Sequence, residues 1–328
     1  MCIIHKNYDE LFSLNNIFEA WKKFRRGKSG KADVMDFELH LEDNLFCLYA
    51  DLQNFNYKHS SYKHFQVFDN KKRDIYKAKV RDRVVHQIVY DYLLSLYEPE
   101  FISDSYASRI GKGQYKAVEA FKYFIKLAHN NYKTCFVLKC DVRKYFDSID
   151  QNFLLGLIRN RVPCEKTFKV IKEILSSYIF SGPGQGVPLG NITSQVFANI
   201  YLSQLDQFVK KELKVRFYVR YNDDFVIISE LKDYLVEIRY KTIHFVKEKL
   251  LLDIPLEKTS LRKINWGVDF LGFTILPKAV LLRNKTKNKM YSSINSMNIH
   301  SYFGILKHCN SYNLKRKILS MEKLDEIC

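Results

Sequence analysis

The sequence predicts an α+β protein with an antiparallel sheet, and three features carry that expectation. The stretch Val215–Ser229 reads as a β-hairpin. A second apolar, β-prone run, Thr134–Cys140, ends in Asp141. Much of the remaining chain has apolar residues at helical spacing. In the hairpin's left arm, Val215, Phe217, Val219 and Tyr221 alternate with Arg216, Tyr218 and Arg220. That period of two predicts a half-buried strand. Phe225–Ile228 is continuously apolar and suits a more buried strand. Asn222, Asp223 and Asp224 lie between the arms and are good turn formers. The hairpin is therefore expected to carry two carboxylates at its tip.

Asp pairs are common in turns for backbone reasons alone. A second reading gives them chemistry. Two carboxylates on a rigid tip repel each other unless a cation joins them. Asp141, at the end of a buried strand opposite the pair, would complete a ligand set for two divalent ions. Such ions, about 3.5–4 Å apart, stabilise the attacking and leaving oxygens of phosphoryl transfer. Mg²⁺ suits it, with Mn²⁺ as the alternative, because Mg²⁺ takes few carboxylates and leaves positions for phosphates.

Composition sets the frame. The 328 residues are enough for a large core divided into subdomains. A hydrophobic share of 47%, with 15% aromatic, excludes a disordered chain. Lys+Arg outnumber Asp+Glu by 53 to 36, a net charge of +17, which points to a polyanionic partner. The other readings are a merely soluble basic protein or a peripheral membrane binder. No apolar run reaches the roughly 18 residues of a membrane span, and the start has no signal-peptide pattern. Seven scattered cysteines without a Cys-x-x-Cys pair read as reduced, mostly buried thiols of a cytosolic protein.

Asp141-x4-Phe146 together with Tyr221-Asn222-Asp223-Asp224 resembles the palm of a reverse transcriptase, and further blocks follow the order of that family. The resemblance implies a right-hand polymerase with fingers, palm and thumb and an antiparallel-sheet palm. The implied division is residues 1–132 for an N-terminal extension and fingers with part of the palm. Residues 133–262 would form the palm, with a helical insertion near 151–200, and residues 263–328 the primer grip and thumb. Asp141, Asp223 and Asp224 would be the catalytic acids. They would bind the metal ions together with the backbone of Val142.

In chain order, residues 8–26 are expected to form a helix carrying Leu11, Ile17, Phe18 and Trp21. The cluster around Arg25, Arg26 and Lys28 then reads either as a nucleic-acid-contacting loop or as a solvated charge run. Another helix is expected over 35–56, with Phe37, Leu41, Leu45 and Leu48 on one side. Phe65–Ile75 reads as a hairpin turning at Asp69-Asn70, before a helix with Asp82 in its first turn. By resemblance this is a fingers block in which Arg73, beside Lys71 and Lys72, holds the incoming triphosphate; a surface hairpin with solvated cations is the alternative. Ser105-Tyr-x-x-Arg109 resembles the next block. Gly111-Lys112-Gly113 then leads to a helix over 114–129, as a plain turn or as a phosphate-binding one.

After Asp141, Phe146 would pack under the sugar of the nucleotide and exclude a 2′-OH. Asp147 is expected to cap or turn the backbone. Helices are expected over 151–161 and 165–178. The segment Ser181–Leu202, with four glycines and two prolines, reads as a loop before a helix started by Thr193 or Ser194. The usual family pattern here is Gln-Gly-x-x-x-Ser-Pro; this chain has Leu189-Gly190-x-x-x-Ser194-Gln195. That variant resembles reverse transcriptases of diversity-generating retroelements, a type related to group II intron and retron enzymes. Asn222 departs from the Val, Met or Ala usual before the Asp pair, which keeps antiviral lineages in play. Lys258, after a helix over 234–250, falls where polymerases keep a Lys near the departing pyrophosphate; a solvated Lys is the equal alternative. Phe270-Leu271-Gly272 resembles the primer grip. Arg283, Lys285, Lys287 and Lys289 and a helical stretch from Tyr302 to Ile318 would supply a thumb.

The implied activity is RNA-directed DNA polymerisation, adding dNTPs to a primer 3′-OH in a cytoplasmic enzyme of bacterial or phage origin. The implied partners are an RNA template, a DNA or RNA primer, a structured non-coding RNA and a small basic accessory protein, with no membrane. Error-prone copying of a template-repeat RNA is the first expectation. An antiphage polymerase making repetitive or untemplated DNA is the second. A non-catalytic RNA-binding scaffold is the alternative of another class.

Overall fold

The computed structural model describes residues 7–68, 72–131, 134–295 and 297–325. They form two compact units, each built from three chain segments. The first takes residues up to Ile102, Arg143–Gln207 and Phe245–Asp253. The second takes Ser103–Val142, Phe208–His244 and the chain from Ile254 onward.

The first expected helix is two: α1 (Tyr8–Leu11) and α2 (Leu14–Arg25). Ser13 breaks it, because its hydroxyl accepts from the Asn16 N–H and caps α2. The second expected helix also divides, into α3 (Ala32–Leu39) and α4 (Leu41–Gln53), at His40. β1 (Lys63–Phe68) and β2 (Lys72–Lys77) form the expected antiparallel hairpin; its turn at Asp69-Asn70, and Lys71, lie outside the described residues. α5 (Val80–Tyr97) follows, with Asp82 in its first turn as expected. It is the hub of the first unit: Val84, Val85, Val89 and Leu93 are fully buried. α6 (Gln114–Asn131) and β3 (Phe136–Asp141) belong to the second unit.

The chain returns to the first unit with α7 (Tyr145–Ser148), α8 (Gln151–Arg159), α9 (Glu165–Ser176) and α10 (Ile192–Gln207). The expected cap at Asp147 is not made. Asp147 lies inside α7, and Asp150 caps α8 by accepting from the Phe153 N–H at 2.7 Å. α10 starts at Ile192, one residue ahead of Thr193, and is buried on nearly every side.

The sheet of the second unit runs β4 (Phe217–Tyr221), β5 (Asp224–Ser229), β3 and β6 (Thr259–Lys263), each pair antiparallel. β5 leads to α11 (Lys232–Leu250), which precedes β6. A second sheet has β7 (Val268–Phe270), β8 (Phe273–Ile275) and β9 (Val280–Leu282). One core joins both sheets to α6, through Phe121, Val219, Val226, Phe270 and Phe273. α12 (Asn284–Ser293), α13 (Ile299–Leu306) and α14 (Tyr312–Asp325) end the described chain. The expected Tyr302–Ile318 helix breaks at Ser311, whose hydroxyl donates to the Leu306 carbonyl. The described cysteines are free thiols; Cys135 and Cys140 are buried, whereas Cys47 is exposed.

β4 is not half-buried. Tyr218 and Arg220, expected on the solvent side, are fully buried. Asp104–Tyr106 covers that strand: the Arg220 N–H donates to Asp104 O at 2.9 Å, and the Tyr106 N–H donates to Arg220 O at 3.0 Å. The guanidinium is satisfied by the Ser105 hydroxyl at 2.9 Å and the Asn222 carbonyl at 3.1 Å.

A buried polar chain ties the first unit together. His86 Nδ1 lies 2.7 Å from the Thr193 hydroxyl, and its Nε2 lies 3.0 Å from Nε2 of His59. An N···N contact of that length needs one protonated and one bare nitrogen, so both rings cannot be cationic. Burial pushes both histidines below their ordinary range, His86 furthest. The unfolded chain then binds protons that the folded chain refuses. Stability is complete above the unfolded value near 6.5 and is lost as pH falls, by at most about 1.4 kcal/mol per pH unit for each ring. The urea midpoint should therefore drop between about pH 7 and pH 5, and His86→Gln should make that drop shallower; equal slopes would remove the pair as its source.

Candidate active site

The sheet register sets the acids. Asp141, the last residue of β3, pairs with Asp224, the first of β5. Asp224 also pairs with Tyr221 across the hairpin, leaving Asn222 and Asp223 as a two-residue turn. The expected tip with two carboxylates is thus one turn residue, Asp223, and one strand residue, Asp224. Asn222 has φ 52°, a left-handed conformation that Asn tolerates better than branched residues. The Val142 N–H donates to the Asp223 carbonyl at 3.2 Å, which fastens the turn to the end of β3.

Two lysines meet these acids. Lys139 Nζ lies 3.1 Å from Asp224 Oδ2 and also donates to the Asp269 carbonyl at 2.9 Å. Lys258 Nζ pairs with Asp141 Oδ1 and lies 3.5 Å from the Val142 carbonyl. Lys258 is expected either near a departing pyrophosphate or solvated; in this structure it is paired with Asp141. Lys139 was missed. It stands two residues before Asp141, so it projects to the same face of β3, and that spacing was the available signal. Burial raises Asp224 to about 7; the Lys139 ammonium opposes the rise, and Asp141 and Asp223 add to it.

The acids fit a divalent cation. Asp224 Oδ1 is buried with no hydrogen-bond partner, an arrangement a metal ion would satisfy. Among the described residues no three His, Cys, Asp or Glu side chains are grouped closely enough to cage an ion alone. Asp141, Asp223 and Asp224 would share it with the Val142 carbonyl and substrate oxygens, as Mg²⁺ commonly does.

The hairpin between β7 and β8 turns at Leu271 (φ 49°) and Gly272 (φ 86°). Gln114 donates to the Leu271 carbonyl at 2.8 Å, and the Arg283 N–H donates to the Gly272 carbonyl at 3.0 Å. Phe270 is 1% exposed and packs edge-on against Phe121. Its side chain serves the core, and the turn itself is formed by Leu271 and Gly272. Arg109 is directed to its own loop, donating to the Ser105 carbonyl at 2.8 Å.

In the first unit, the loop before α10 adds to the edge of β2. The Tyr76 N–H donates to the Leu189 carbonyl at 2.9 Å, and the Asn191 side chain donates to the Tyr76 carbonyl at 2.7 Å. Gly190 has φ 109°, and a Cβ there would fall 2.7 Å from Ile75 Cγ2, so only glycine fits. The Val187 N–H donates to the Phe146 carbonyl at 2.8 Å. The structure thus brings Leu189 and Gly190 to the strand that bears Arg73, an exposed residue opposite Val67, and ties Phe146 to the same loop. Gln195 is exposed on α10. In the basic cluster, Arg25 pairs with Glu38 at 2.5 Å and Lys28 folds back to the Phe24 carbonyl at 2.7 Å. Arg26 is exposed.

An antiparallel sheet with acids at adjoining strand ends, in a mixed helix-and-sheet chain, defines a right-hand polymerase. Residues 57–275, more than half of the chain, match the reverse transcriptase (RNA-dependent DNA polymerase) family, and the chain belongs to that family. The family uses divalent metal ions. The chain is 25% identical over 236 residues to protein YkfC of Escherichia coli K12, covering 61% of this chain and 62% of that protein. It is 24% identical over 262 residues to the group II intron-encoded protein LtrA of Lactococcus lactis subsp. cremoris, covering 59% of this chain and 43% of LtrA. It spans less than two thirds of the length of either. Apo telomerase from Candida tropicalis, truncated from its C-terminal domain, has a similar fold: TM-score 0.53 at 14% identity, over 74% of this chain and 60% of that one. Among the described residues no helix is long and apolar enough to cross a membrane.

Removing Lys139 should make the acids a stronger cation site, since a charge about 4 Å away is worth several kcal/mol at intermediate dielectric. Lys139→Met should lower the melting temperature without metal and enlarge the rise on adding Mg²⁺, with no nucleotide present. A smaller rise than in the parent would count against the lysine as the ion's stand-in.

Proposed function

We propose that this chain is an RNA-directed DNA polymerase that adds deoxynucleotides to a primer 3′-OH. The registered pair Asp141–Asp224, beside Asp223 on its turn, carries the reading. The divalent ions they hold would acidify the 3′-OH and neutralise the triphosphate and its leaving group. Asp141 and Asp223 bind; Asp224 supports them. Lys71 and Arg73 are assigned to the triphosphate, and Lys258 to the pyrophosphate once an ion has displaced it from Asp141. Phe146 is assigned to the sugar by its place five residues after Asp141. Gln195 joins Leu189 and Gly190 at the nucleotide. Arg25, Arg26, Lys28, Arg109 and the Leu271-Gly272 turn are assigned to the template and primer.

Asp223→Asn tests this directly. It removes a ligand at a turn, so folding and RNA binding should persist. Nucleotide addition should fall by roughly a thousandfold or more, the worth of several kcal/mol of charge stabilisation. Near-parental extension with Mg²⁺ would overturn the assignment.

The finer proposal is error-prone copying of a template-repeat RNA in a diversity-generating retroelement, with a structured RNA and a small basic protein as partners. It rests on Leu189 and Gln195 within Leu-Gly-Asn-x-Thr-Ser-Gln. A Gln at position 189 could donate and accept hydrogen bonds to the nascent pair, whereas Leu offers dispersion only. Leu189→Gln should lower misincorporation, up to roughly tenfold if one hydrogen bond of about 1.4 kcal/mol acts on the correct pair alone. Deep sequencing of cDNA from both proteins on one template decides it: equal error rates at matched product length would end the fidelity role. Asn222 favours a second reading, an antiphage polymerase making repetitive or untemplated DNA. Sequencing the product made on the native flanking RNA separates the two.

A further inference from the structure

The first unit contains a cavity of about 490 Å³ that uses none of the three acids. One wall is aromatic. Tyr8 and Phe55 have ring centroids 5.4 Å apart, and Tyr8 is fixed by donating its hydroxyl hydrogen to the Leu52 carbonyl at 2.7 Å. Phe55 is 56% exposed and sits at φ 58°. A left-handed backbone is costly for a residue whose side chain cannot repay it with a local hydrogen bond. The residue is thus held in a strained conformation with its ring presented to solvent.

The other wall is cationic. Lys166, Lys169 and Lys172 line the cavity from successive turns of α9, and Lys58 lines it from the segment before β1. One carboxylate, Glu173, faces them, and it is already engaged by Lys58 at 3.3 Å and by the His59 N–H at 3.0 Å. Among the described residues no ion pair is formed by Lys166, Lys169 or Lys172. Lys166 Nζ lies 4.4 Å from the centre of the Phe55 ring, so charge and aromatic face meet at one point.

Rings that take a flat partner, beside a row of ammonium groups about 9 Å long (six residues of helix at 1.5 Å each), match bases joined by phosphates. A mononucleotide would use one end of that row, whereas a strand would use all of it. We propose that this face of α9, with Tyr8 and Phe55, binds a single-stranded segment of nucleic acid by stacking a base on Phe55 and seating consecutive phosphates on Lys166, Lys169 and Lys172. The inference concerns binding alone and does not depend on nucleotide addition.

The experiment measures binding of labelled oligoadenylate RNA by the full chain, without dNTPs or divalent metal. An excess of unlabelled RNA–DNA duplex occupies the residues assigned above to template and primer; if that assignment fails, the variants below still report on this face. Two variants separate the contributions. Lys166→Gln with Lys169→Gln changes exposed side chains only, and should flatten the slope of log K against log salt by about 1.4, or 0.7 for each phosphate no longer neutralised. Phe55→Asn keeps a residue suited to the left-handed backbone, and should weaken binding roughly tenfold at an unchanged slope. Thermal melting checks that both remain folded. AMP and heparin are the competitors. Poor competition by both supports a strand read by stacking and charge together. Parental affinity and slope in both variants would overturn the proposal. So would displacement by AMP at the strand's own affinity, or equal displacement by heparin, which would mark the face as a mononucleotide pocket or a patch for any polyanion.

Discussion

The second unit depends on two like charges placed side by side. Asp141 and Asp224 are direct partners on antiparallel strands, an arrangement that costs stability unless a cation intervenes. The pairing is held from both sides. Asn222 takes the left-handed turn that sets the hairpin register, and Arg220, fully buried beneath it, holds the Asn222 carbonyl. A slip of one residue would send Asp224 to the opposite face of the sheet. With the acids so fixed, the chain supplies its own counter-ions, Lys139 on Asp224 and Lys258 on Asp141. Lys139 also reaches the Asp269 carbonyl in the β7–β8 hairpin. The acids and the turn assigned to the primer therefore share one support.

Much of this was legible in the sequence, because strands announce themselves by period and composition. The run into Asp141 and the run after Asp224 were readable as buried β-structure. What one strand's pattern cannot report is which segment covers it. Arg220 looked like a solvent-facing residue because its partner, Ser105, lies 115 residues away. The same long-range pairing explains the Ser105-Tyr-x-x-Arg109 block: its backbone lies along β4 and its hydroxyl satisfies the buried guanidinium. The helix breaks were legible unevenly. Ser13 is a good N-cap and could have been read as a start, whereas His40 ends α3 and precedes α4 with no side-chain cap.

Basic clusters mislead for a related reason, since composition counts charges without showing how they are spent. Several cations near the start of the chain are matched to carboxylates: Arg25 to Glu38, Lys77 and Arg83 to Asp33, and Arg81 to Asp51. The loop that drew attention as a charge run is in part an internally neutralised support. These ion pairs are part-buried, and each facing carboxylate weakens, without abolishing, the field its cation offers a polyanion.

The surplus of +17 must then be concentrated elsewhere, because pairing in one region leaves the excess in others. α9 is one such region. Its sequence, Glu165–Ser176, is amphipathic with Ile171, Ile174 and Leu175 inward, and read alone its lysines are an ordinary solvated face. The difference lies in what stands opposite. Tyr8 and Phe55 arrive from distant parts of the chain, and the one facing carboxylate is already used. Cations near low-polarity rings and away from acids retain more of their field than cations in a mixed patch. A polyanion is therefore drawn to a cationic face by how few acids stand against it, and a strand with flat bases gains at α9 what a featureless polyanion does not.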